Sequence, residues 1–304
     1  MSFNNVGVHF ITTIAQRALA GLCAVYLNPN CLSLIGVFSL IHISLHLFPM
    51  YTPFIFSDSR SVETMKHVHL ADAELLHALT DAVHEQARMM GAKDAEKINV
   101  RFGTTNSIWG SAYSFGGPLL LMSKSDVKIW FADGSINDIG RRIIGHELTR
   151  ILENHSLWTM PFRIMGIALS CGLCLSIRRI IPSIPIVSNV ISAAFLVFRN
   201  LVTGFILGPV DRYFESRADS GSIHLMKDKE KALKIAQAGH SFFVKKAADN
   251  LSIRRDAIAK GGFKAIWYYL KINDQGENRL DFTHQGYTIR ASLFNSLIDI
   301  SAKP

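Results

Sequence analysis

The chain has 304 residues, enough for one or two ordinary soluble domains, yet 49% are hydrophobic and only 18% charged, a balance that points to membrane association. The formal net charge of +8 lies largely outside the apolar stretches and suits anionic lipid headgroups. No basic stripe is interleaved with aromatics as a single-strand groove requires, so no nucleic acid is expected as a partner.

In chain order, residues 7–27 form a weak apolar span interrupted by Gln16 and Arg17, and 31–49 are almost uncharged and about long enough to cross a bilayer core. Joined at Asn28-Pro29-Asn30, they are expected to make a membrane hairpin over 1–56. With no basic stretch at its start and no clear cleavage site, the segment reads as retained. His42 and His46 are four apart inside it and are expected to pack between helices. The four cysteines, Cys23, Cys31, Cys171 and Cys174, all fall in or beside apolar segments, as packing thiols do.

Leu75, Leu76, Leu79, Val83 and Ala87 recur at helical spacing and predict an amphipathic helix over 71–90, ending near Gly91. Short strands are expected at 98–102 and 117–123, and a third at Ile129-Trp130-Phe131, closed by the turn residues Asp133-Gly134. A helix then starts at Asn137 or Asp138. Beyond it, 157–177 and 184–209 form a second apolar hairpin, turned by Arg178, Arg179 and Pro182. Arg163 and Arg199 are costly in lipid, so a hairpin resting on a soluble domain is the alternative. After it, 228–248 reads as packing helices with solvated lysines, and Trp267, Tyr268 and Tyr269 are expected to pack in a core, with the rim of the cleft or the membrane surface as the alternative.

The chemistry concentrates at Gly145-His146-Glu147-Leu148-Thr149-Arg150. In H-E-x-x-H, two histidines four apart share a helix face and bind zinc, and the glutamate between them activates the zinc-bound water. Here the second histidine is Arg150, and a guanidinium cannot ligate a metal. Downstream, Glu215 and Asp219 are four apart on one helix face. A glutamate on a separate helix can supply a third zinc ligand, and a nearby carboxylate can fix the tautomer of a ligand histidine.

Together, a His-Glu helix, an apolar hairpin and the run Glu215-Ser216-Arg217-Ala218-Asp219 make the chain resemble the HtpX family of membrane zinc metallopeptidases, whose relatives include the CAAX prenyl proteases of type I. The resemblance covers roughly residues 72–300. It also draws on the lead-in Ile143-Ile144-Gly145, on Asn154-His155-Ser156, on the strand run 116–121, and on Phe282-Thr283-His284 with Arg290. Gln285 and Gly286 stand where the family has two prolines.

The resemblance implies a mainly α fold with a small β-sheet (α+β), a zincin-like peptidase domain interrupted by a transmembrane helical hairpin. Its parts would be an N-terminal membrane hairpin at 1–56, a peptidase half at 57–156, the second hairpin at 157–209, and the other half at 210–304. It implies His146 and Glu215 as zinc ligands, Glu147 as general base, Asp219 behind the ligands, His284 at the cleft as an oxyanion stabiliser, and an edge strand at 113–122 that holds peptide by strand addition.

His155 and His224, each nine residues past a ligand position, fall on the opposite helix face and are poor substitutes for position 150, which leaves His284 and Asp219 as the alternative donors. Two readings follow. One is an integral-membrane zinc metalloendopeptidase, with one Zn(2+), acting on membrane or membrane-adjacent protein or peptide substrates. The other is a metal-free pseudopeptidase in which Arg150 takes the place of zinc and the cleft binds peptide. Kinship implies a multi-pass protein of the bacterial inner membrane with its peptidase domain cytoplasmic, and an organellar membrane is the alternative.

Overall fold

The computed structural model describes residues 70–103, 109–114, 117–155, 158–159, 161–162, 207–279, 281 and 284–301. The chain divides into two compact units, one of residues 1–52 and 157–209, the other of 53–156 and 210–304. Both expected hairpins lie almost entirely outside the described residues. Among the described residues, no helix is long and apolar enough to cross a membrane.

The second unit is mainly helical with one small sheet. Helix α1 (Leu70–Met89) forms where the apolar spacing requires it. Leu76, Leu79, Val83 and Ala87 are buried along one face, and the chain leaves through Gly91 at φ 86°. A single 3-10 turn (Ala95–Lys97) leads into β1 (Asn99–Gly103), followed by β2 (Trp109–Ser114) and β3 (Gly117–Ser123). The sheet order is β1-β3-β2, with β1 parallel and β2 antiparallel to β3. Val100 and Phe102 lie level with Leu120 and Met122, and all four enter the same core.

Three expectations are corrected in this region. Residues 117–121 are part of the central strand, not an edge; among the described residues β2 is the edge beside α3, the helix that follows. Strand β2 was not anticipated, because Gly110, Ser111, Ala112 and Ser114 carry little β-propensity and its pairing is shifted between Ser111 and Ser114. The third strand expected at 129–131 does not form: α2 (Lys124–Trp130) starts on the Ser123 cap and takes in Ile129 and Trp130, with Phe131 at its C-cap. It buries Val127 and Trp130, three apart, and leaves Ile129 66% exposed, a helical rather than an alternating pattern.

Helix α3 (Asp138–Leu152) opens at Asn137, whose side chain accepts from Gly140 N at 2.9 Å. That cap contributes about 1 kcal/mol. Burial of Ile144, Leu148 and Ile151 contributes about 1.5–3 kcal/mol each, so the core face holds the helix and the cap sets its start. Asn154, in the left-handed region at φ 55°, turns the chain out of its end.

Helix α4 runs over 207–224, and its residues from 210 onward belong to this unit. Helices α5 (Lys229–Lys260), α6 (Gly262–Lys271) and α7 (Tyr287–Ser301) follow. Asp228 caps α5 by accepting from the backbone of Glu230 and Lys231. Gly239 of α5 makes room for Phe294 of α7, which is fully buried. The core packing expected of 263–270 does not occur, because α6 has no buried residue.

Candidate active site

Two close approaches bring the chemistry together. A Cβ on Gly145 would come within 2.8 Å of Gln86 Nε2 and 3.1 Å of Ser222 Cβ, and one on Gly221 would collide with Thr149. Helix α3 therefore lies tight against both α1 and α4, and the face bearing His146 and Arg150 meets the face bearing Glu215 and Asp219. A bidentate pair from Arg217 to Glu153, both bonds at 2.8 Å, ties the end of α3 to α4.

Asp219 is the fully buried centre of this arrangement. It accepts from Arg290 Nε at 2.6 Å and Nη2 at 2.9 Å, from Arg142 Nη2 at 3.0 Å, and from His146 Nδ1 at 2.8 Å. Burial alone would raise its pKa, but the guanidiniums of Arg290 and Arg142, with His146, hold the carboxyl well below its ordinary range. Both guanidiniums also lie over the ring of Phe243, at 4.5 Å for Arg142 and 4.3 Å for Arg290. With a carboxylate at Nδ1, a ring proton sits there, and Nε2 faces Glu215 at 3.5 Å and Glu147 at 3.9 Å.

Arg150 occupies the mouth of this group, its side chain 28% exposed. Its Nη1 lies 3.3 Å from Glu147 Oε1, and its Nη2 lies 3.1 Å from Glu215 Oε1. Burial opposes its charge, but Glu147 and Glu215 raise its pKa above the ordinary arginine value, so it is cationic at every physiological pH. The effect is reciprocal. Burial pushes the Glu215 carboxyl up, while His146, Arg150, Arg290 and His284 together bring it below its usual range.

His146, Glu147, Arg150, Glu215 and Asp219 are thus brought together. His284 is half exposed and bonded through Nδ1 to Asp281 at 3.0 Å. Its hydrogen bond to Asp281 raises its pKa, burial opposes, and Glu215 adds to the rise, so it lies within electrostatic reach of the cluster. His155 is turned to Glu153 at 3.0 Å and packs on Phe214, and His224 is exposed, so neither joins the group. Sequence reasoning missed Arg142, although it stands four residues before His146 on the same face. It also assigned no role to Arg290.

Residues 135–284 match the model of peptidase family M48. No curated protein and no solved structure matches the chain. Over these residues the chain is M48-like. The M48 match starts just before α3 and ends at His284, so it takes in every member of the cluster except Arg290. It marks the chain as metallopeptidase-like, in a family whose members are generally zinc-dependent.

The donor set does not fit that zinc. A catalytic zinc takes three protein donors and keeps a fourth position for water. Here His146 Nε2 and Glu215 are the donors available, and the third position carries a cation ion-paired with the second ligand and hydrogen-bonded to the base. Asp219 is committed to two arginines and a histidine. Among the described residues, no group of three His, Cys, Asp or Glu side chains is arranged to hold a metal. Three carboxylates, Glu147, Glu215 and Asp219, instead meet three guanidiniums, Arg142, Arg150 and Arg290.

Proposed function

We infer that this chain is a metal-free M48 homologue, a pseudopeptidase that keeps the cleft for binding extended peptide rather than cleaving it. One observation carries the reading: the Arg150 guanidinium spans Glu147 and Glu215, the groups that would otherwise serve as base and metal ligand. Two carboxylates gathered together repel, whereas a planar guanidinium pairs with both and supplies the missing positive charge. Glu147, paired in this way, is poorly placed to accept a proton from water. The edge strand β2, beside α3, offers backbone groups for strand addition by a peptide. His284 and the exposed part of Arg150 supply polar contacts for its carbonyl groups.

The second reading, a zinc metalloendopeptidase with Glu147 as general base, draws on the Asp219-fixed orientation of His146. It needs a donor that displaces Arg150. In either reading the chain is proposed to be an HtpX-like, multi-pass protein of a bacterial inner membrane, with its peptidase half cytoplasmic and acting on membrane or membrane-adjacent proteins. An organellar membrane is the alternative.

The test pairs peptide binding with hydrolysis. Labelled extended peptides should bind the full chain equally in zinc and in chelator, and should be recovered intact. Arg150→His should cleave them when zinc is supplied. Cleavage by the unaltered chain that chelator abolishes and Glu147→Gln removes would overturn the inference.

A further inference from the structure

Helix α6 has the composition of a core segment and the exposure of a surface one. Phe263 is 81% exposed, Ile266 60%, Leu270 56% and Trp267 46%. At about 100° per residue these four fall within roughly a third of the helix circumference. Lys264 and Lys271 lie along one border of that stripe. Ala265 and Tyr268, on the far side, are half-buried toward the body of the unit, and Tyr269 stacks with the Arg254 guanidinium at 5.0 Å. The orientation is therefore settled: the helix seats its small and polar-tipped side and presents its largest apolar side chains outward.

The join to α5 holds this geometry. Gly261 and Gly262 both have positive φ, 69° and 73°, a conformation that other residues enter only with strain. The chain thus turns sharply after Lys260 and starts α6 with no side-chain cap.

We propose that the Phe263-Ile266-Trp267-Leu270 face of α6 docks in the plane of an anionic lipid surface, with Lys260, Lys264 and Lys271 facing the headgroup phosphates. Ten residues of helix reach about 15 Å, half the thickness of a hydrocarbon core, so α6 lies on a bilayer rather than across it. Charge selects lipid over another protein. The helix carries two lysines and no acidic residue, in a chain of net charge +8, and it pairs them with aromatic and aliphatic groups as interfacial helices do. The assignment does not depend on whether the cluster around Arg150 binds zinc or peptide.

The experiment uses the full chain reconstituted in phosphatidylcholine vesicles with brominated acyl chains, with and without phosphatidylglycerol. The fluorescence lost on Trp267→Phe defines the Trp267 signal. That signal should fall at least about twofold in the anionic brominated vesicles, as for an indole at the acyl boundary. It should recover in the Lys264→Glu/Lys271→Glu variant. An unquenched Trp267 in anionic vesicles overturns the proposal. So does quenching that is equal without phosphatidylglycerol. A blue-shifted but unquenched Trp267 would mean that protein, a second copy or another partner, covers the stripe, and would overturn it as well.

Discussion

One residue decides the chemistry of this cleft. Arg150 stands where a third metal donor would sit, and its contacts at 3.1 and 3.3 Å tie it to the two acids that would otherwise serve as metal ligand and base. Behind it, Asp219 holds two buried guanidiniums and a histidine at once. Breaking such a buried group by removing one partner leaves uncompensated charge, which costs far more than the net value of the pair. Asp219→Asn should therefore destabilise the chain by about 3–5 kcal/mol in chemical denaturation. A loss under about 1 kcal/mol would show that Arg142 and Arg290 find other partners, and the charge-balanced view of the cluster would fail.

At the scale of elements, the site exists because two glycines let three helices meet. Gly221→Ala would drive a methyl into Thr149 Cγ2. The expected cost is about 1–3 kcal/mol, with most of it recovered in a Thr149→Ser background, which removes the clashing carbon. Urea midpoints of the two variants test this, and a fully additive double variant would count against the contact.

Helices with long apolar periods, α1 and α3, were legible, as was β3, whose both faces are buried. Period alone did not separate a helix of about two turns at 124–130 from a strand, and β2 is written in small residues that take their conformation from pairing. The acids and the metal-face residues could be read from i, i+4 spacing. Their partners Arg142 and Arg290 could not, because what makes them partners is a crossing of helices more than seventy residues apart in sequence. The α6 stripe misled for a related reason: apolar periodicity states that a face is hydrophobic, not what covers it.

At the scale of the whole molecule, charge pairing sets the response to pH. Asp219 and Glu215 have folded pKa values below their unfolded ones, so the stability they contribute is present above about pH 4 and is lost progressively as pH falls below it. Burial lowers the His155 pKa, with Glu153 opposing, so its contribution is present above about pH 6.5 and is lost as pH falls through the folded value. His284 has the opposite sign, contributing below about pH 6.5 and losing that contribution as pH rises through its raised folded value, but it is half exposed and screened. The melting temperature should therefore hold near neutrality, decline below about pH 6.5 and fall more steeply below about pH 4, with the last limb flattened in Asp219→Asn. A chain most stable in acid would contradict these assignments.

Zinc content tests the central claim most directly. The full chain, purified in detergent with zinc supplied and excess removed, is assayed by elemental analysis beside Arg150→His and Glu215→Ala. The account predicts essentially no zinc in the unaltered chain and, once His146, position 150 and Glu215 form a complete donor set, about one per chain in Arg150→His. About one zinc in the unaltered chain, lost in Glu215→Ala, would show that a donor displaces Arg150 and that the cleft is a working metal centre.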